Sequence, residues 1–178
     1  SALPDLLPSC SVLQITGKKL FEETRTQAEQ TMEGMDDETR QRYKLVAYLN
    51  EEMPLALQAS TIVLCRAGAA TLSELAVLGK PGILVPLPPA IGSSPQEANA
   101  AMFGRKGAAY VIKDLDLKRE VVVERIINSI SSKDELTAMA EAALAFAMPD
   151  ATQAIAAEVV KIATMRGARV TRHESLVV

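Results

Sequence analysis

One histidine, two cysteines and no tryptophan stand in a chain of 178 residues. A Ser-His-Asp triad, a Cys-His dyad or a His-rich zinc site would each depend on His173 alone, so no metal centre is expected. Cys10 and Cys65 lie far apart in an apolar chain. They read as thiols of a reducing compartment rather than a disulfide framework. Aromatic residues make up 3%, too few for a base-stacking platform. The net charge is -3 and no Lys/Arg run offsets it, which argues against a nucleic-acid footprint. No apolar run approaches a membrane span, and no signal peptide opens the chain. It begins Ser1-Ala2-Leu3 without Met, which reads as a fragment of a longer protein.

What is present is the composition of a globular domain: 48% hydrophobic and 23% charged residues. The length suits one domain with a sizeable core. Ser11–Thr16, closed by Gly17, reads as a strand, and residues 18–34 as a helix. Asp36–Arg42 is a charged connector, Tyr43–Leu49 is β-rich, and Pro54–Ala59 is a short helix. Thr61–Cys65 is a continuous apolar run, the pattern of a strand buried on both faces. A small-residue turn, Arg66–Ala70, leads into a helix over Thr71–Leu78 that Gly79 and Pro81 end. Gly82–Val85 is a second buried strand. Leu87–Pro95 is a loop, Gln96–Lys106 a helix and Tyr110–Ile112 a last strand. Residues 119–165 carry a helical pattern broken at Pro149. Strand and helix alternate with short connections, the signature of βαβ units. The fold class is therefore α/β, a Rossmann-like parallel sheet with flanking helices. Ligands on such sheets bind at the carboxyl ends of the strands, here the loops after Cys65 and Val85.

Two stretches carry chemistry. In Cys65-Arg66-Ala67-Gly68-Ala69-Ala70-Thr71-Leu72-Ser73-Glu74, a buried strand meets a small-residue turn and a helix start, whose free amides attract anions. Thr71 and Glu74 have the spacing of a capping box, and their plain role is to satisfy the helix end. In Pro81–Pro88 a proline-bracketed strand delivers a polar loop, followed by Gln96 and Asn99. Gln96 has the groups to bond sugar hydroxyls, and Asn99 to bond a loop carbonyl. Taken singly, neither stretch is specific.

Together, in this order and spacing, they resemble the C-terminal half of the MurG family. The likeness runs from Leu3-Pro4 to about Ala163. It rests on Thr16-Gly17-Lys18, Cys65-Arg66-Ala67-Gly68-Ala69, Thr71 through Glu74, Gly79-Lys80-Pro81, Val85-Pro86, Gln96 with Asn99-Ala100, Gly107-Ala108-Ala109 and Pro149-Asp150-Ala151. The family transfers N-acetylglucosamine from UDP-GlcNAc to undecaprenyl-diphosphate-linked muramoyl-pentapeptide (lipid I), giving lipid II for peptidoglycan. The resemblance implies a GT-B glycosyltransferase whose C-terminal domain holds the donor. It places Tyr48-Leu49 at the uracil, with Leu49 offering backbone bonds and Met53 packing nearby. Ala70 and Thr71 fall at the diphosphate, Glu74 at the ribose hydroxyls and Gln96 at the GlcNAc hydroxyls. Arg66 and Asn99 fall to loop ordering. The resemblance implies no cofactor and no metal, and a cytoplasmic protein peripheral on the inner face of the plasma membrane.

Some positions depart from the pattern. Pro95 stands where the family has His or Gln, the loop 88–94 is about two residues longer, and Gln14-Ile15 replaces a His-Gln pair. Against the family's plan, the N-terminal domain and the first strand of the donor domain have no counterpart. Residues 1–166 are then the donor domain and 167–178 a flexible tail. No catalytic residue is expected in this fragment, which should bind donor without turnover, and its incomplete sheet should show itself as association, aggregation or a gap flanked by apolar residues. Two other readings stand beside this one. One is a stand-alone donor-binding subunit acting with a membrane partner, as in eukaryotic N-glycan synthesis. The other is an α/β module for some other nucleotide or protein.

Overall fold

A computed structural model describes residues 1–88 and 96–170, with side chains through residue 165. The chain divides into two compact units, Ser1–Phe146 and Ala147–Val178.

The first unit opens with α1 (Leu3–Leu6), β1 (Val12–Ile15), α2 (Phe21–Thr31), α3 (Asp37–Gln41) and β2 (Tyr43–Val46). It continues with α4 (Met53–Ala59), β3 (Val63–Cys65), α5 (Ala69–Leu78), β4 (Gly82–Leu84), α6 (Gln96–Arg105) and β5 (Ala109–Val111). A 3₁₀ turn, Asp114–Asp116, leads to α7 (Arg119–Ser131) and α8 (Lys133–Leu144). The alternation of strand and helix is the α/β pattern expected from the sequence. The connector at 36–42 is more ordered than its charge suggests. Asp36 accepts from the Thr39 amide at 2.9 Å and caps the one-turn helix α3.

The five strands among the described residues pair in parallel but form two sheets, β1-β2 and β3-β4-β5. β4 lies between two neighbours and obeys the period of two. Ile83 and Val85 pack with Ile112 beneath Val122 and Ile126 of α7. Leu84 points to the other face, among Leu72, Leu75, Ala76, Phe103 and Ala143 from α5, α6 and α8. Burying each such aliphatic side chain contributes roughly 1.5–3 kcal/mol. The β1-β2 sheet is covered on one face only, where Val12 and Tyr43 pack against Leu3, Leu7, Ala28 and Met32.

β1 is therefore half open, and so is β3, which the sequence reads as buried on both faces. Leu13 and Ile15 of β1 are 44% and 40% exposed, and Leu64 of β3 is 44% exposed. The reason is position: β1 and β3 are edge strands, each hydrogen-bonded to one neighbour. Leu64 shares its face with Ile83, its register partner, yet Ile83 is fully buried.

Two contacts fix the ends of the elements. Gly79 ends α5 with φ 58°, where a side chain is strained, and a Cβ there would lie 2.8 Å from Leu144 Cγ. Lys80 then reaches back, its Nζ donating to the carbonyls of Gln58 and Ser60 at 2.6 and 2.9 Å and closing the C-terminal end of α4.

Among the described residues, the second unit holds one helix, α9 (Ala151–Val170). The helix covers residues 167–170, which the sequence assigns to a tail. His173 and Pro95 lie outside the described residues, as does the long loop at 89–94. Among the described residues no helix is long and apolar enough to cross a membrane.

Candidate functional site

The carboxyl edge of the three-stranded sheet gathers the turn after β3, the loop after β4 and the 3₁₀ turn after β5. Three side chains tie these segments together. Arg66 Nη1 donates to the Val85 carbonyl at 3.1 Å and pairs with the Asp114 carboxylate. Asn99 Nδ2 donates to the Ala67 carbonyl at 3.2 Å. Gln96 Oε1 accepts from the Leu87 amide at 3.1 Å. The loop-ordering roles expected of Arg66 and Asn99 thus have matching contacts. Gln96 carries one that sequence reasoning missed, because its partner is a backbone amide nine residues away. That bond also fixes the amide group: Oε1 is committed, and Nε2 remains as a donor.

The start of α5 corrects the expected capping box. The helix begins at Ala69, not Thr71, and Gly68 is its N-cap with φ -69° and ψ 143°. Thr71 is therefore the third helical residue, and Thr71 and Glu74 do not bracket the helix end. A backbone with no side-chain requirement takes the cap position, and the small residues Ala69 and Ala70 extend the helix backward by two residues. No side chain caps this end. The first amides of α5 are thus left without an internal partner, at the positive end of the helix dipole.

The remaining expected residues are placed as follows. Ala70 and Glu74 are exposed and Thr71 is half-buried. Glu74 lies close enough to β3 to act on Cys65, whose thiol is pushed up to about 11 by burial and then by the Glu74 charge. Leu49 is half-buried in the segment after β2, beside Tyr48, which is 62% exposed. Met53 begins α4 and packs against the cluster that holds Leu72 and Leu75, which brings it to the flank of α5. Met53, Arg66, Ala70, Thr71, Glu74, Gln96 and Asn99 are therefore tied to the three-stranded sheet and its helices, whereas Leu49 lies in the segment between β2 and α4.

Chemically this edge offers uncapped backbone donors for an anion, an exposed carboxylate for hydroxyls, and one oriented amide donor. A cavity of about 160 Å³ lined by Lys106, Ala142, Ala145 and Phe146 belongs elsewhere, beside the connection that precedes β5. It is smaller than the usual ligand pocket of about 300–1,000 Å³. Among the described residues no group of His, Cys, Asp or Glu is placed to hold a metal.

Residues 4–155 match the glycosyltransferase family 28 C-terminal domain. The chain belongs to this family. Among family 28 relatives, it is 38% identical over 141 residues to a UDP-N-acetylglucosamine--N-acetylmuramyl-(pentapeptide) pyrophosphoryl-undecaprenol N-acetylglucosamine transferase of Thermobifida fusca. That match covers 78% of the chain and 36% of the relative. The transferase of the same name from Shewanella amazonensis is 34% identical, with 85% of the chain and 43% of the relative covered. The crystal structure of Acinetobacter baumannii MurG superposes with a TM-score of 0.70 at 26% identity, over 89% of the chain and 46% of MurG. The glycosyltransferase VinC, solved with dTDP, shares the fold at a TM-score of 0.58 and 17% identity. This family 28 domain thus spans less than half the length of the relatives it matches.

Proposed function

We propose that the chain is the donor-binding half of a UDP-GlcNAc-dependent hexosyltransferase, which moves N-acetylglucosamine onto lipid I to give lipid II in peptidoglycan synthesis. The observation that carries this reading is the uncapped start of α5 at the carboxyl edge, with Glu74 exposed one turn further on. In this reading the amides at Ala70 and Thr71 hold the diphosphate. Glu74 accepts from the ribose hydroxyls. The Leu49 backbone meets the uracil, and Met53 packs beside it. Gln96 directs its Nε2 donor to a GlcNAc oxygen. The relatives' names support the donor and acceptor classes.

The chemistry follows from charge. As the glycosidic bond to UDP breaks, negative charge grows on the leaving diphosphate. Fixed amides at a helix start stabilise that charge without reorganising. The acceptor and the base that deprotonates it belong to the opposing domain of the GT-B cleft, and lipid I brings the enzyme to the inner membrane surface as a peripheral protein. No cofactor enters this scheme.

Calorimetric titration with UDP-GlcNAc, UDP-glucose and ADP-glucose tests it. The expected order of affinity is UDP-GlcNAc, then UDP-glucose, with ADP-glucose weakest. Equal affinity for ADP-glucose would remove the uridine assignment, and no binding of any of the three would remove the donor reading.

A further inference from the structure

We infer that Asp114 is a positioning residue for the turn that starts α5, acting through the Arg66 guanidinium. The inference rests on the donor-binding reading above, in which the amides of that turn hold the diphosphate. Arg66 is the first residue after β3. Its guanidinium meets the last carbonyl of the neighbouring strand's extension, at Val85, and the Asp114 carboxylate beyond β5. One side chain therefore ties together the segments that leave three adjacent strands. Asp114 is the one charged group in this strap besides Arg66, and it is only 28% exposed at the side chain. The turn from Arg66 to Gly68 gains a second anchor where Asn99 holds Ala67. Between them these contacts set the direction in which the first amides of α5 face.

Positioning and simple electrostatics predict opposite signs. Asp114 carries negative charge near an anion site. Removing it should strengthen diphosphate binding if only long-range charge matters. If Asp114 holds the turn, its loss weakens binding instead, because misdirected amides no longer converge on the phosphates.

The experiment titrates the 178-residue chain with UDP at low salt, comparing wild type, Asp114→Asn, Asp114→Glu and Asp116→Asn. Asp116 lies in the same 3₁₀ turn and makes the same change in net charge. The expected result is an affinity loss of about fivefold in Asp114→Asn, within the range for residues that act on a site without touching the ligand. Asp114→Glu, which keeps the carboxylate, regains most of it, and Asp116→Asn binds as tightly as wild type or tighter. Amide exchange without ligand supplies a second readout. Exchange should quicken in Asp114→Asn at Leu72 and Val85, whose amides bond Gly68 and Cys65, and not at Ala108, bonded to Phe103. UDP affinity in Asp114→Asn equal to or above wild type overturns the inference, as does unchanged exchange at both amides. Failure of wild type to bind UDP overturns the donor reading itself, and the exchange comparison then still decides whether the strap holds the turn.

Discussion

Glu74 acts on one neighbour in the protein and, in the proposed function, on the ribose of the donor. Beside it, burial and the Glu74 charge push the Cys65 thiol up to about 11, so it stays protonated at neutral pH. Glu74→Gln removes the charge, so the thiol pKa falls and the thiolate fraction at a given pH rises. Alkylation of Cys65 at pH 9 should therefore speed up in that variant, and an unchanged rate would separate the two groups. Toward solvent, Glu74 is exposed, and the proposed function gives it the ribose hydroxyls. Glu74→Ala should weaken UDP binding by about 1–3 kcal/mol, measured by calorimetry. Because Gly68 is the cap of α5, the substitution should leave the thermal midpoint unchanged, so lost affinity reads as lost contact.

Elements depend on contacts that the local sequence does not reveal. Gln96 starts α6 and holds the Leu87 amide, so Gln96→Ala removes two functions together. Gln96→Glu separates them: the carboxylate still accepts from Leu87, but the Nε2 donor is gone. We expect Gln96→Glu to reduce the preference for UDP-GlcNAc over UDP while UDP affinity stays near wild type, and Gln96→Ala to lower both. Equal loss of UDP affinity in the two variants would place Gln96 away from the sugar. The start of α7 is tied to α1 by a bidentate pair, Arg119 with Asp5 at 2.7 and 2.9 Å. The Arg119 hydrogen bonds hold the Asp5 carboxyl below the ordinary aspartate value. A depressed folded pKa gives stability that is present above that ordinary value, about pH 4, and is lost as pH falls through the lower folded one. Thermal melts of Asp5→Asn should show a smaller drop across that acid window than wild type. An identical acid profile would show that the exposed pair contributes nothing measurable.

For the molecule as a whole, the open edges of β1 and β3 matter most. Each leaves a row of backbone groups without a strand partner beside half-exposed Leu13, Ile15 and Leu64. Light scattering should show mass rising with concentration, and Leu13→Lys should reduce that association while the thermal melt stays cooperative. A concentration-independent monomer would mean the edges are protected. These edges also mark where reading the sequence stops. The alternation of strands and helices was legible, because Ile83-Leu84-Val85 and the Gly79 stop are local signals. The number of neighbours a strand has is not local: Val12–Ile15 and Gly82–Leu84 look equally apolar, yet only one lies between two others. The site was legible as a helix start beside small residues. Its cap was misplaced because Thr71 and Glu74 mimic a capping box, and the strap was invisible because Arg66 and Asp114 are 48 residues apart. The same parallel pairing governs how the chain reaches its fold. Val12 pairs with Tyr43, Val63 with Gly82 and Gly82 with Ala109, so every ladder must wait for an intervening helix to bring its ends together. With no hairpin among the described residues to nucleate on, the search is paid in loop-closure entropy, and refolding belongs with the slower, high-contact-order class.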